Sequence, residues 1–234
     1  MRVDRSGARC SDPRELGANT NTLLCPSCST GHLLPSWPLD YQSDWACDQC
    51  PHSAPSHLVQ GVVELYKQQI QTTYETDRHG GSHIPPKQIN IKKLSQNCHQ
   101  IRILKKSLYG IWNFGERYNI ERWLELLTKA RPYFHPQHMV MIDIAKWLVP
   151  ILCRAPGRSF HHFSPNLVHT KLELATNYLT VLEITEPGLS KFRAKYLFEM
   201  IDTKMFLLSK EFNEGRLPPD IFKKELSGGE WYIS

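Results

Sequence analysis

No run of eighteen or more apolar residues occurs anywhere in this 234-residue chain, which argues against a membrane-spanning helix. Nor does a hydrophobic segment follow Met1-Arg2-Val3-Asp4-Arg5-Ser6, so no signal peptide is read there. Basic residues are scarce at the front. Residues 1–57 carry four Lys or Arg against six Asp or Glu, while the remainder carries 24 against 17, and between Cys28 and Cys47 there is neither Lys nor Arg. A zinc module that grips DNA normally brings its own cationic cluster to the phosphates, so a nucleic-acid partner is not expected. The basic remainder reads as an ordinary solvated helical surface. An even cysteine framework is also missing: there are seven cysteines, four of them at metal-binding spacing. That fits the reducing cytoplasm or nucleus better than an oxidising compartment.

What the sequence does contain is organised around Cys25 to Cys50. The pairs Cys25/Cys28 and Cys47/Cys50 are Cys-x-x-Cys turns with eighteen residues between them. Each turn aims two thiolates at one point, and two such knuckles supply the four soft ligands that tetrahedral zinc prefers. Two disulfides, or four unrelated thiols, are the plainer alternatives. Four thiolates close the coordination shell, so the expected role is structural; His32, His52 and His57 are read as turn or solvent-facing residues. The insert is long enough for a strand, a turn and a return strand. Leu33, Leu34, Trp37 and Leu39 are expected to form its small apolar face, with Pro35 and Pro38 limiting regular pairing and Trp45 packing beside the second knuckle.

From His57 the period becomes helical, and no later segment alternates as a strand would. Val59, Val62, Val63, Tyr66, Ile70 and Tyr74 share a face of a helix expected over about 57–75. Pro85-Pro86 opens a short second helix, and a third is expected over about 99–114. Asn119 to Ala130 follows, stopped by Arg131-Pro132. The fifth helix begins near Pro136, carries Met139, Ile142, Ala145, Trp147, Leu148 and Leu152, and has Pro150 as a kink or early end. Ser164 caps a sixth to about Ile184, with Pro165 at its first position. A seventh runs from Ser190 to Asn213 with Phe192, Tyr196, Leu197 and Met200 on its apolar side, and Pro218-Pro219 opens a short last helix to about Leu226. A histidine follows each of the 39-residue-spaced starts at Asn97 and Pro136, a faint echo of a hairpin repeat. The fold class expected is mostly α. It comprises a small zinc-ribbon-like module with four cysteine ligands over 1–56, an array of antiparallel helical hairpins like tetratricopeptide repeats (TPR-like) over 57–227, and a tail over 228–234.

These residues also carry a family resemblance. Arg9-Cys10-Ser11-Asp12-Pro13-Arg14-Glu15-Leu16-Gly17 resembles the turn that follows the SET domain in the arthropod SmydA, or msta-like, branch of SET and MYND domain (SMYD) proteins. Leu24-Cys25-Pro26-Ser27-Cys28, Pro38-Leu39-Asp40 and Ser43-Asp44-Trp45-Ala46-Cys47-Asp48-Gln49-Cys50 resemble the zinc knuckles that come next in that branch. Asn97 to Gly110 and Pro187-Gly188-Leu189-Ser190-Lys191-Phe192-Arg193 are similar to its later helical segments. The resemblance implies relatives that are protein-lysine methyltransferases using S-adenosylmethionine, with a helical array walling one side of the substrate cleft. It also implies a second zinc site at Cys10. The preceding Cys-x-Cys is replaced by Arg5 and Gly7, which speaks against that site here.

No SET cofactor stretch of the Asn-His-Ser/Cys kind, no Gly-Glu-Glu with a catalytic tyrosine and no MYND array is found in the 234 residues. A channel aligning a lysine amine with a methylsulfonium needs such segments, so no catalytic or cofactor-binding residue is assigned. S-adenosylmethionine is expected only of a longer form. His161-His162 after Arg158-Ser159-Phe160 lacks any fixed acid partner or oxyanion hole, and Cys98 and Cys153 read as core thiols in helical surroundings. The expected partner is a protein or peptide, such as a lysine-containing tail, on the helical array. The alternative is that the chain forms the C-terminal lobe of a longer methyltransferase.

Overall fold

The computed structural model describes residues 7–28, 30–40, 42–80, 119–153, 160, 163–188 and 190–227. The two helices expected over 85–94 and 99–114, Cys98 with its histidine echo, the His161-His162 pair and the tail lie outside the described residues. Within them the chain is mostly helical with one small antiparallel sheet.

The N-terminal part begins with a short helix α1 (Ala8–Ser11). The Asp-Pro turn follows, where the Asp12 carboxylate accepts the N–H groups of Arg14 at 3.0 Å and Leu16 at 2.7 Å. Four strands come next: β1 (Leu23–Leu24), β2 (His32–Pro35), β3 (Trp45–Cys47) and β4 (Ser53–Ala54). They lie side by side in sequence order, every pair antiparallel. The strand, turn and return strand expected between the knuckles are thus β2 and β3, in register Leu33↔Cys47 and Pro35↔Trp45.

The small apolar face differs from expectation. Leu33 is buried, but Trp37 and Leu39 stand in solvent. Pro35 is the last residue of β2, and beyond it the Ser36 N–H still donates to the Asp44 carbonyl at 2.9 Å before the chain turns.

Helix α2 (Ser56–Gly80) starts one residue before the expected position and runs five past the expected end. Helices α3 (Ile120–Ala130), α4 (Met139–Ile151), α5 (Pro165–Thr185), α6 (Lys191–Asn213) and α7 (Pro219–Ser227) follow. Each packs on the next in sequence, and α2 packs on both α3 and α4. Local chemistry sets the starts. Asn119, Ser164 and Ser190 each accept an N–H of the first turn through their side chains, satisfying donors the helix leaves unpaired.

His138 does the same for α4: its Nδ1 accepts from the Val140 N–H at 3.1 Å. The histidine is therefore the cap, and α4 begins at Met139 rather than near Pro136. Met139, the first residue of the helix, is exposed and stands outside the core, whereas Val140, Met141 and Ile142 behind it are buried. Pro150 sits in the last turn, and the helix stops after Ile151. Cys153 is buried as expected but lies past the helix end, in a left-handed conformation at φ 60°.

Helix α4 is the centre of the core. Val140, Ile144, Ala145, Leu148 and Val149 are all at most 1% exposed and face several neighbours at once. On α3, Trp123, Leu126, Leu127 and Ala130 recur at the spacing of one helical face and are buried. The Trp123 indole N–H donates to Asp77 at the end of α2 at 2.9 Å. Phe192, expected on the buried side of α6, is exposed, while Tyr196 is fully buried with its hydroxyl donating to the Lys146 carbonyl at 2.9 Å. Lys171 and Glu199 form a buried ion pair between α5 and α6 at 2.8 Å. Among the described residues no helix is long and apolar enough to cross a membrane.

Candidate metal centre

The two knuckles meet because the meander folds β2 and β3 together and returns both Cys-x-x-Cys turns to one end of the sheet. The Leu33↔Cys47 pair, the Cys25 N–H donating to the Gly31 carbonyl at 2.9 Å and the Cys47 N–H donating to the His52 carbonyl at 2.9 Å fix that end. Cys25 Sγ lies 3.7 Å from Cys50 Sγ, and Cys28 Sγ lies 3.6 Å from Cys47 Sγ. All four sulfurs fall within 4.8 Å of one another. A tetrahedral ion with sulfur at about 2.3 Å spaces its ligands by about 3.8 Å, so the four thiols can hold a metal ion. Disulfide pairing does not describe them, since bonded sulfurs stand about 2.0 Å apart and all four cysteines are free. Cys10 is exposed on α1 and stands outside this cluster.

Backbone donors complete the cradle. The N–H of Ser27 points at Cys25 Sγ and that of Gln49 at Cys47 Sγ, both at 3.4 Å, and such bonds favour the thiolate. Burial alone would raise the Cys25 thiol, but the N–H groups of Ser27 and Cys28 and the neighbouring sulfurs bring it down to about 7. Cys50 receives a backbone bond from His52, yet burial and the other three sulfurs push it up to about 12. The Cys25 proton leaves easily while that of Cys50 is held by burial and the crowded sulfurs, which a cation among them relieves.

Gly31 is part of the site although the cysteine spacing does not point to it. A Cβ there would sit 2.3 Å from Cys47 Sγ and 2.8 Å from Cys28 Sγ, so only glycine lets the backbone pass this close to the sulfurs. Its signal in sequence is faint: a glycine three residues after the second cysteine. Asp48 is the other addition. Its carboxylate accepts the His32 N–H at 2.8 Å and pairs with Arg14, which ties the Asp-Pro turn to the second knuckle. Burial works against this carboxylate, but the His32 N–H and the Arg14 charge hold it below the usual range.

His32 lies beside Asp48 and stacks edge-on against His135, with ring centroids 5.4 Å apart. His32 and His52 thus border the site without joining the sulfur cluster.

The module is sewn to the helices by backbone bonds. Leu24 N–H donates to the Tyr133 carbonyl at 2.8 Å, His135 N–H to the Thr22 carbonyl at 3.2 Å and Met139 N–H to the Thr20 carbonyl at 2.8 Å, while Leu23 forms a bridge with Phe134. Between sheet and α2 lies an apolar cleft of about 620 Å³, walled by Leu23, Cys25, Leu33, Val59, Val62 and Tyr133. No family model matches this chain, and no curated protein matches it.

Proposed function

We propose that Cys25, Cys28, Cys47 and Cys50 hold a structural zinc, and that the chain is the zinc-binding and helical lobe of a SET and MYND-type methyltransferase relative. In this reading it acts as a module for binding a protein or peptide, with the helices forming a tetratricopeptide-like array. The observation that carries the metal assignment is the closed shell of four sulfurs at tetrahedral spacing. Four thiolates suit zinc and leave no open position for water or substrate. Support for an interaction role comes from the cleft between sheet and α2, whose walls among the described residues carry no Asp, Glu, Lys or Arg. It is the kind of concave apolar site that takes a peptide side chain. The family reading rests on the Asp-Pro turn together with the spaced cysteines. That turn folds as a compact unit in which the Glu15 carboxylate accepts the Thr20 N–H at 2.8 Å and Asp12 holds the first loop. The same turn is equally compatible with the alternative of a C-terminal lobe in a longer, S-adenosylmethionine-dependent enzyme.

The test is zinc content per chain after purification under reducing conditions, for the wild type and Cys47→Ser, paired with anisotropy titrations of lysine-containing peptides. About one zinc per chain, lost in the variant, together with saturable peptide binding, supports the reading. A folded wild type without metal overturns the zinc assignment, and failure to bind any peptide overturns the interaction role.

A further inference from the structure

The turn between β2 and β3 leaves Trp37 73% exposed and Leu39 52% exposed. Folded chains usually cover most of a tryptophan, and tryptophan is among the residues that most often dominate binding energy at interfaces. The described residues on either side of the turn hold Trp37 by hydrogen bonds. Trp37 N–H donates to Ser43 Oγ at 3.2 Å, and the Ser43 hydroxyl donates back to the Trp37 carbonyl at 3.1 Å. The Asp40 N–H reaches the same carbonyl at 2.9 Å, and the Ser36 N–H donates to the Asp44 carbonyl at 2.9 Å, closing the base of the turn. Ser43 itself is buried. The Trp37 backbone is thus already held through both its N–H and its carbonyl, which lowers what binding has to order.

Charge narrows what can cover this tip. Asp40 and Asp44 are exposed beside the two apolar side chains, and no Lys or Arg occurs between Cys28 and Cys47. We infer that the tip docks into a protein partner whose apolar pocket is rimmed by lysine and arginine side chains. Trp37 is the anchor, Leu39 widens the contact, and Asp40 with Asp44 selects a rim of positive sign. The tip lies beyond the Pro35↔Trp45 pair, the end of the β2–β3 ladder away from Cys47, so its side chains can change without touching the sulfurs.

The test uses the full chain and a fluorescein-labelled amphipathic peptide of Leu and Lys, whose helix carries an apolar stripe edged by lysines. Anisotropy is expected to show saturable, salt-sensitive binding that Trp37→Ala weakens by roughly tenfold or more and that the double change Asp40→Asn, Asp44→Asn weakens less. A Leu and Glu peptide of equal length is expected not to bind. Far-UV circular dichroism and zinc content serve as controls that the variants remain folded. Binding by Trp37→Ala equal to that of the wild type, or equal affinity for the acidic peptide, overturns the assignment. So does self-association of the free chain that Trp37→Ala abolishes, because the occupant is then a second copy rather than a basic partner.

Discussion

The sheet module and the helices are held together by different means. Before Ser56 the buried apolar side chains among the described residues are Ala18, Leu23, Cys25 and Leu33, one of them a candidate metal ligand; from α2 to α6 they are far more numerous and centre on α4, in a cluster that Leu23, Cys25 and Leu33 join at its edge. Four strands of two to four residues cannot remove enough apolar surface from water to offset the entropy of ordering them, so such modules need a staple. The helices do not. On the zinc reading, one chain uses coordination chemistry where it is thin and packing where it is thick, and the backbone bonds at Thr20, Thr22 and Leu24 together with the apolar contacts of Leu23 and Leu33 couple the two.

Metal removal breaks this contrast most severely. Chelation, or Cys47→Ser, is expected to unfold residues 7–55 while the helices persist, because structural zinc contributes on the order of 10 kcal/mol to such modules. Limited proteolysis with far-UV circular dichroism reads both halves at once, and loss of helical signal in step with the module would show that the helices depend on it too.

The converse change is Trp123→Ala. Trp123 is fully buried and donates to Asp77, so its truncation is expected to cost about 3–5 kcal/mol in the stability of the helices, read from their denaturant transition, while zinc stoichiometry stays unchanged. A loss below about 1 kcal/mol would mean that α2 and α3 do not share one core.

A smaller effect sharpens the module side. Gly31→Ala places a methyl group against two ligand sulfurs and is expected to weaken zinc affinity by about 10–100-fold, measured by competition with a chromophoric chelator. Unchanged affinity would mean that the turn has room to shift.

The smallest effect is pH dependence at the seam. Burial first, and then the Lys67 charge, holds the His138 imidazole down to about 3, and burial holds His135 down to about 4. The unfolded chain takes up these protons near pH ~6.5 while the folded one does not. The unfolded state therefore binds more protons below that pH, and stability falls as pH drops from about 6.5 toward the folded values. For His138 the loss between about pH 6.5 and pH 5 is about 1.5 kcal/mol. Protonation would also remove the Nδ1 acceptor that caps α4. His138→Asn keeps a capping acceptor and is expected to flatten the pH slope of the urea midpoint; an unaltered slope would assign the dependence elsewhere.

The sequence showed much of this plan directly. Cys-x-x-Cys spacing is a local property, and so are the caps at Asn119, Ser164 and Ser190, because each joins residues within one turn. The β2–β3 hairpin was readable from the length between the knuckles. The exposure of Trp37 and Leu39 was not, since hydrophobicity alone places them inwards, whereas both lie in the turn past the Pro35↔Trp45 pair, where Ser43 holds the Trp37 backbone. His138 likewise reads as a residue inside a helix until its Nδ1 is seen accepting from Val140.

By itself, then, the sequence determined four candidate ligands of one chemistry and a succession of amphipathic helices, because both follow from side chains a few positions apart. Tertiary structure decided that Gly31 must pass the sulfurs, that Asp48 joins Arg14, and that Tyr133 and Phe134 pair with β1. Those contacts join residues distant in the chain, so only the folded path fixes their distances.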